Sequence, residues 1–367
     1  MQLRIPGPTP IPDPVREAMA RQMINHRGPE FAELIGSVTR RLKSFFQTSN
    51  DLLLLTASGT GGLEAAIVNV LSPGDRVLSV SIGYFGDRFA DIARTYGADV
   101  VGLTAEPGQA ADPDAVARVL NTSGPFRAVL VTHNETSTGV TNDLASIARV
   151  VRPTGALLMV DGVSSVGSID LKTDEWGCDL VVSGSQKGWM VPPGLSMLSV
   201  STKAWEAYKL ARMPRYYFDL GKARASLERG QTPATPAISI LFAFDAALGL
   251  MEREGMATIF ARHRRCADRV RDGVTALGLE LFADRSHASD TVTAVKVPAD
   301  VDASRLLQLL RAEGVIVAGG QGPLAGKIIR IGHLGWIDDS DVDEILGALA
   351  RTLPLARKSP VSTSVPH

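Results

Sequence analysis

Leu157-Leu158-Met159-Val160-Asp161, and then Cys178-Asp179-Leu180-Val181-Val182-Ser183-Gly184-Ser185-Gln186-Lys187, are two short apolar runs that each stop abruptly in polar residues. Such runs, bounded by turn residues, are the pattern of parallel strands buried on both faces. In an open α/β sheet, ligands bind in the crevice beyond the carboxyl ends of the strands. Asp161 and Lys187 are therefore expected at one rim, on strands that can be neighbours. Each alone has an ordinary explanation. An Asp ending a strand often caps the next helix, and a Lys in a Gly/Ser loop is commonly a solvated charge.

Working outward, the same alternation fills the first half of the chain. Apolar runs at 52–55, 76–81, 98–103, 126–132, 156–161, 178–183 and 195–200 read as strands. Helical spacing separates most of them, at 63–71, 86–96, 113–120 and 142–151. This βαβα order predicts an α/β fold with a mostly parallel, doubly wound sheet. Before it, Pro6, Pro8, Pro10 and Pro12 make residues 1–12 an extended arm, because proline lacks a donor and restricts its predecessor. Helices are expected at 13–23 and 30–47, the first opening at Asp13-Pro14. After about residue 202 helices dominate, and the one at 238–254 is long enough to carry the chain between domains. A smaller α+β unit follows, with strands at 291–297 and 327–331 and helices at 303–313 and 341–352. The expected organisation is an arm (1–12), a large domain (13–252), a small domain (253–353) and a disordered Pro/Ser/Lys tail (354–367).

Composition narrows the function classes. With 367 residues, 45% hydrophobic and 21% charged, the chain can bury a large core. A formal net charge of -1 and a pI near 6.6 argue against general nucleic-acid binding. No run of membrane-spanning length and no secretory leader is evident, so a cytoplasmic enzyme without a membrane partner is expected. Cys178 and Cys266 are too few for a disulfide framework, and no Cys/His metal spacing is present, so no metal is expected.

The strand ends carry chemistry in series. Thr56-Ala57-Ser58-Gly59-Thr60-Gly61-Gly62 joins a strand to a helix start, where small residues and free N–H groups suit a phosphate. A plain tight turn is the ordinary alternative. The loop lacks the third glycine of a dinucleotide fingerprint, which would fall at Glu64, and the G-K-[ST] of a P-loop. At Gly83-Tyr84-Phe85-Gly86 an aromatic stands at the rim, where it can stack on a flat cofactor or simply pack into a core. Thr132 to Gly139 is a polar run, either a solvated loop or a source of hydroxyls for ligand. A phosphate seat, a stacking ring, a carboxylate and an amine at one rim are the parts pyridoxal phosphate (PLP) requires. The amine forms an imine with its aldehyde, and the carboxylate keeps the ring nitrogen protonated. Arg330 is placed to clamp a substrate carboxylate if the small domain closes on the rim, and is otherwise a surface arginine on a half-exposed strand.

These residues resemble the class V, fold type I PLP-dependent aminotransferases, in particular the alanine–glyoxylate and serine–glyoxylate branch. The likeness spans Pro6-Gly7-Pro8-Thr9-Pro10 to Arg330-Ile331-Gly332-His333-Leu334-Gly335 and includes Ser183-Gly184-Ser185-Gln186-Lys187-Gly188. It implies a large PLP-binding domain, a smaller C-terminal domain and transamination between a small amino acid and a 2-oxo acid, glyoxylate or pyruvate. By the same resemblance Lys187 is the Schiff-base lysine and proton carrier, Asp161 partners the ring nitrogen, and Val163 and Phe85 flank the ring. Ser58, Gly59, Thr60 and Gln186 hold the phosphate, and Thr136 lies near the ring hydroxyl. Arg330, Gly7 and Thr136 face the substrate. Thr232 and Thr235 resemble a segment that reaches the partner subunit's phosphate, which implies a homodimer with shared sites. Phe85 and Thr60 stand where eukaryotic alanine–glyoxylate enzymes commonly have Trp and His, so substrate preference does not transfer directly. Arg27, Arg88, Arg215 and His333 are candidates for a second cation serving a dicarboxylic donor. A PLP lyase of the cysteine desulfurase kind and a catalytically idle partner protein are the rival readings.

Overall fold

The computed structural model describes residues 1–358. Its main sheet has seven strands in the order Asp51–Ala57, Gly194–Val200, Leu180–Gly184, Leu157–Asp161, Ala128–Thr132, Arg76–Ser81, Asp99–Thr104. Neighbours are parallel except Gly194–Val200, which is antiparallel to both strands beside it. The loop from Leu180–Gly184 to Gly194–Val200 holds no helix. An antiparallel pairing accepts so short a connection, and a parallel one does not.

Alternate residues of each strand feed opposite layers. Leu78, Val80, Val129, Val131, Leu158 and Val160 enter one core, with the helices Pro29–Phe46 and Ile238–Glu254. Val77, Ala128, Leu130, Leu157 and Met159 enter the other, under Gly59–Val70 and Tyr84–Thr95. Burial on both sides is why these strands read as continuous apolar runs. At about 25 cal/mol per Å² of apolar surface, the two layers supply most of the stabilisation of the large domain.

The helix Ile238–Glu254 runs on from this two-layered unit and the chain turns at Gly255, whose φ is 82°. A separate core of Val270, Ile329, Ile331 and Ile345 lies beyond it, between Met256–Ala276, Asp339–Thr352 and an antiparallel sheet. That sheet runs Val292–Lys296, Ile328–Gly332, Ala318–Gly319. The N-terminal arm is stitched onto this unit: Gln2 and Leu3 pair in parallel with Val315 and Ile316, and Gly332 N donates to Arg4 O at 2.7 Å.

Two expectations are corrected. The helix from Asp13 ends at Ala18, not near residue 23; Val15 is its one buried residue, too little packing to hold a longer helix. The segment expected to be disordered from 354 is ordered as far as it is described. Pro354–Ala356 forms a helical turn with Ala356 buried, and Arg357 bridges to Val301. The rest of that expectation, 359–367, lies outside the described residues. Among the described residues no helix is long and apolar enough to cross a membrane.

Candidate active site

Asp161 and Lys187 emerge from adjacent parallel strands, Asp161 lying between Thr132 and Val182 in the sheet. Beyond Lys187 the chain is nailed down by Trp189, which is fully buried, stacks on Phe46 at 6.0 Å and donates its indole N–H to Ser183 Oγ at 2.9 Å. The arm covers the lysine from the other side. Thr9 N and Oγ1 donate to the backbone oxygens of Gln186 and Lys187 at 3.2 and 2.9 Å, and Lys187 Nζ donates to Pro6 O. Gly7 makes this approach possible: a Cβ there would sit 2.6 Å from Nζ, and its φ is 125°.

Asp161 and Lys187 share one cleft with Ser58, Gly59, Thr60, Phe85, Thr136, Val163 and Gln186. Ser58 is the N-cap of Gly59–Val70, so the first free N–H groups of that helix open into the cleft. A Cβ on Gly59 would lie 2.7 Å from Val163 Cγ2, so only glycine lets the helix start come this close. Among the described residues, Gln186 Oε1 is buried without a partner.

Burial dominates the electrostatics. It pushes the Asp161 carboxyl up from 3.8 to about 7, against the Val163 N–H at 3.0 Å and with help from the negative charge of Glu135. It also lowers the Lys187 amine from 10.5 to about 8, opposed by Asp161 and reinforced by Arg330. Arg330 is 6% exposed. Its Nε donates to Gly319 O at 2.8 Å, and its Nη1 to Thr136 O and Gln321 Oε1, both at 3.1 Å. Among the described residues Nη2 has no partner and the guanidinium no ion pair; burial lowers its pKa. The two N–H donors of Nη2 are thus the part of this buried cation that the described residues leave unpaired.

The polar run Thr132 to Thr138 is not a solvated loop, since each of its residues is buried. Glu135 is the residue that sequence reasoning missed. Its carboxylate accepts from Phe85 N at 2.9 Å, Gly86 N at 3.1 Å and Ser137 N at 2.9 Å, pinning the turn that presents Phe85. Burial raises its pKa while those donors pull it down. Local pattern gives no sign of this, although Gly83 is a trace of it: a Cβ there would strike Glu135 Cγ at 2.7 Å. Asn134 and Arg88 also line the cleft.

Other expected residues lie elsewhere. Thr232 lines a different, apolar groove with Tyr217 and Pro236, and Thr235 is exposed. Arg27 donates to Gln231 and to Thr232 O, and Arg215 stacks on Tyr208. His333 is buried between Thr293 and Asp290 O, and burial lowers it to about 3, so it is a neutral group and no substrate cation.

A family model described as aminotransferase class-V matches residues 6–331. The chain belongs to the class-V aminotransferases. These are PLP enzymes, and the cleft fits that cofactor: a helix start for a phosphate, an orphaned glutamine oxygen, and an amine whose charge burial weakens. Relatives of this class-V aminotransferase include the soluble hydrogenase 42 kDa subunit of Anabaena cylindrica, 45% identical over 95% of this chain and 92% of that protein. The L-aspartate–glyoxylate aminotransferase of Paracoccus denitrificans is 40% identical over 92% and 87%. The serine–glyoxylate aminotransferase of Methylorubrum extorquens is 37% identical over 95% and 89%. Among solved structures, the alanine–glyoxylate aminotransferase of a Nostoc species superposes with a TM-score of 0.92 at 33% identity, covering 96% of this chain and 94% of that one.

Proposed function

We propose that this class-V aminotransferase moves the amino group of a small monocarboxylic L-amino acid, alanine or serine, to a small 2-oxo acid, glyoxylate first, in two half-reactions of ping-pong type. The observation that carries this reading is one buried guanidinium fork, that of Arg330, whose Nη2 is free among the described residues and whose Nη1 bonds Thr136 O at the wall of the cleft that holds Lys187 and Asp161. One such fork binds one carboxylate.

When bound, PLP supplies an aldehyde that condenses with amines and a pyridine ring that accepts the electron pair released at the substrate Cα. The protein's part is positional and protolytic. Lys187, lowered to about 8, is available as a neutral amine near neutrality and carries the proton at the substrate Cα. Asp161 holds the proton on the ring nitrogen. Phe85 and Val163 pack on the two faces of the ring, Ser58, Gly59, Thr60 and Gln186 hold the phosphate, and Thr136 faces the ring hydroxyl. Arg330 fixes the α-carboxylate beside Gly7, and the arm from Pro6 to Thr9 shields Lys187 from water.

The site is read as shared between two copies of this chain in the cytoplasm, with Thr232 and Thr235 reaching the partner's phosphate. The exposure of Tyr216 (84%) and Tyr217 (52%) beside the apolar Thr232 groove supports an interface there. Sedimentation of the holoenzyme as a monomer would sink that part.

A donor panel of alanine, serine, glycine and aspartate against glyoxylate and pyruvate tests the reading. We expect alanine or serine to exceed aspartate by about 10-fold or more in kcat/KM. An aspartate preference, favoured by the name of the Paracoccus relative, would overturn the one-carboxylate argument. The hydrogenase-subunit name of the Anabaena relative favours an idle partner protein. A colourless protein without turnover would support that second reading. A desulfurase-like lyase has no support in the cysteines, since Cys178 and Cys266 are both buried.

A further inference from the structure

A further cation, Arg88, stands at the end of the cleft formed by Ser58, Gly59 and Thr60. Arg88 lies one turn past Phe85 on Tyr84–Thr95 and lines the cleft. Its Nη1 donates to Thr60 Oγ1 at 3.1 Å, and its guanidinium lies 4.9 Å from the centroid of the Phe85 ring and 5.0 Å from that of Tyr84. Among the described residues no carboxylate pairs with it, and its remaining donors have no partner. Thr60 sits in the first turn of Gly59–Val70, where the helix start already favours an anion. A hydroxyl has one proton to give. Because Thr60 Oγ1 accepts from Arg88, that proton is free to be donated into the cleft.

We propose that Arg88 is the cationic member of the phosphate seat, a positioning residue that aims the Thr60 hydroxyl at the cofactor phosphate and offsets its second negative charge. The bond to Thr60 sets Arg88 at this end of the cleft and removes it from the candidates for a second substrate carboxylate. Backbone N–H groups satisfy a phosphate geometrically, but they leave a dianion short of charge, and a partly buried arginine supplies it. The proposal rests on PLP being the cofactor.

The test measures dissociation constants of apoenzyme for PLP and for pyridoxal, which has the same ring and aldehyde but no phosphate. The wild type should prefer PLP strongly; if it does not, the phosphate seat itself is misread. In Arg88→Met the PLP constant should rise about 10- to 100-fold, while the pyridoxal constant changes less than about 3-fold, so the preference collapses. Arg88→Lys, which keeps the charge, should restore part of it. Thr60→Val should show a loss that is not additive with Arg88→Met. If both ligands weaken equally, Arg88 only props the Phe85 and Tyr84 rings and the proposal fails. It fails too if the wild-type preference survives in Arg88→Met. Should Arg88→Met not fold, inhibition of PLP loading by inorganic phosphate, compared between wild type and the uncharged Arg88→Gln, decides the matter: unchanged inhibition overturns the assignment.

Discussion

Two groups of buried polar residues lie side by side in this molecule and behave oppositely. Asn134, on the wall of the cleft, uses its whole amide. Nδ2 donates to Ser164 Oγ and Thr291 Oγ1 at 2.8 Å each, and Oδ1 accepts from Thr141 Oγ1 at 2.8 Å and Ser289 Oγ at 2.5 Å. His263 is equally settled: Nε2 accepts from Gly335 N at 3.0 Å, so Nδ1 carries the proton given to Ile259 O at 2.7 Å. In the cleft, Asp161, Lys187, Gln186 and Arg330 are buried with demands the chain leaves unmet. Polarity and burial are common to both groups. What separates structure from function here is satisfaction: the finished group is closed within the chain, and the unfinished one waits for ligand.

The largest expected effect tests the unfinished group directly. Lys187→Ala should lower transamination about 10⁴-fold or more and remove the visible absorption of lysine-bound PLP; undiminished turnover would break the comparison. Arg330→Met should raise KM for the amino acid about 30-fold or more, and Arg330→Lys less, because a point charge replaces a fork.

Asp161→Asn should cost about 10²-fold in kcat, yet it should stabilise the apoprotein. Folding raises this carboxyl from 3.8 to about 7, so its stabilising share is complete only below the unfolded value and is lost as pH rises through the folded one. In urea melts of apoprotein, the advantage of Asp161→Asn should grow from near zero at about pH 4 to a few kcal/mol at about pH 8. A constant or shrinking gap would contradict the assigned burial cost.

His263→Phe is the counterpart in the finished group. It leaves Gly335 N–H unpaired and should destabilise by about 2 kcal/mol. Folding lowers His263 from 6.5 to about 3, so its stabilising share is complete only above the unfolded value and falls away as pH drops below it. The loss in His263→Phe should be fully present at about pH 8 and shrink by about 2 kcal/mol toward about pH 5.

The fold was legible because its signals are local. The strand at 76–81 and the helix at 238–254 coincide with Arg76–Ser81 and Ile238–Glu254, since apolar runs and capping residues report directly on sheet and helix. In the cleft, the junctions at Ser58–Thr60, Phe85, Asp161 and Gln186–Lys187 follow from strand ends alone, so their meeting follows once the sheet is parallel. Glu135 and Asn134 did not show. A polar run reads as solvated unless one knows which backbone amides and hydroxyls surround it, and those come from Phe85, Gly86, Ser289 and Thr291, far along the chain. His333 was unreadable for the same reason: its neutrality is a property of its burial, not of its neighbours in sequence.

The arm has a consequence for the order in which the protein is made. Gln2 and Leu3 find their partners only at Val315 and Ile316, and Arg4 O meets its donor at Gly332. Residues 2–4 must therefore wait for residues 315–332 before they can settle over Lys187. Until then the amine stands uncovered in a sheet that is otherwise complete. The strands that carry Asp161 and Lys187 precede the segment that anchors the arm, so during synthesis the cover over the amine closes only after residue 332 has emerged.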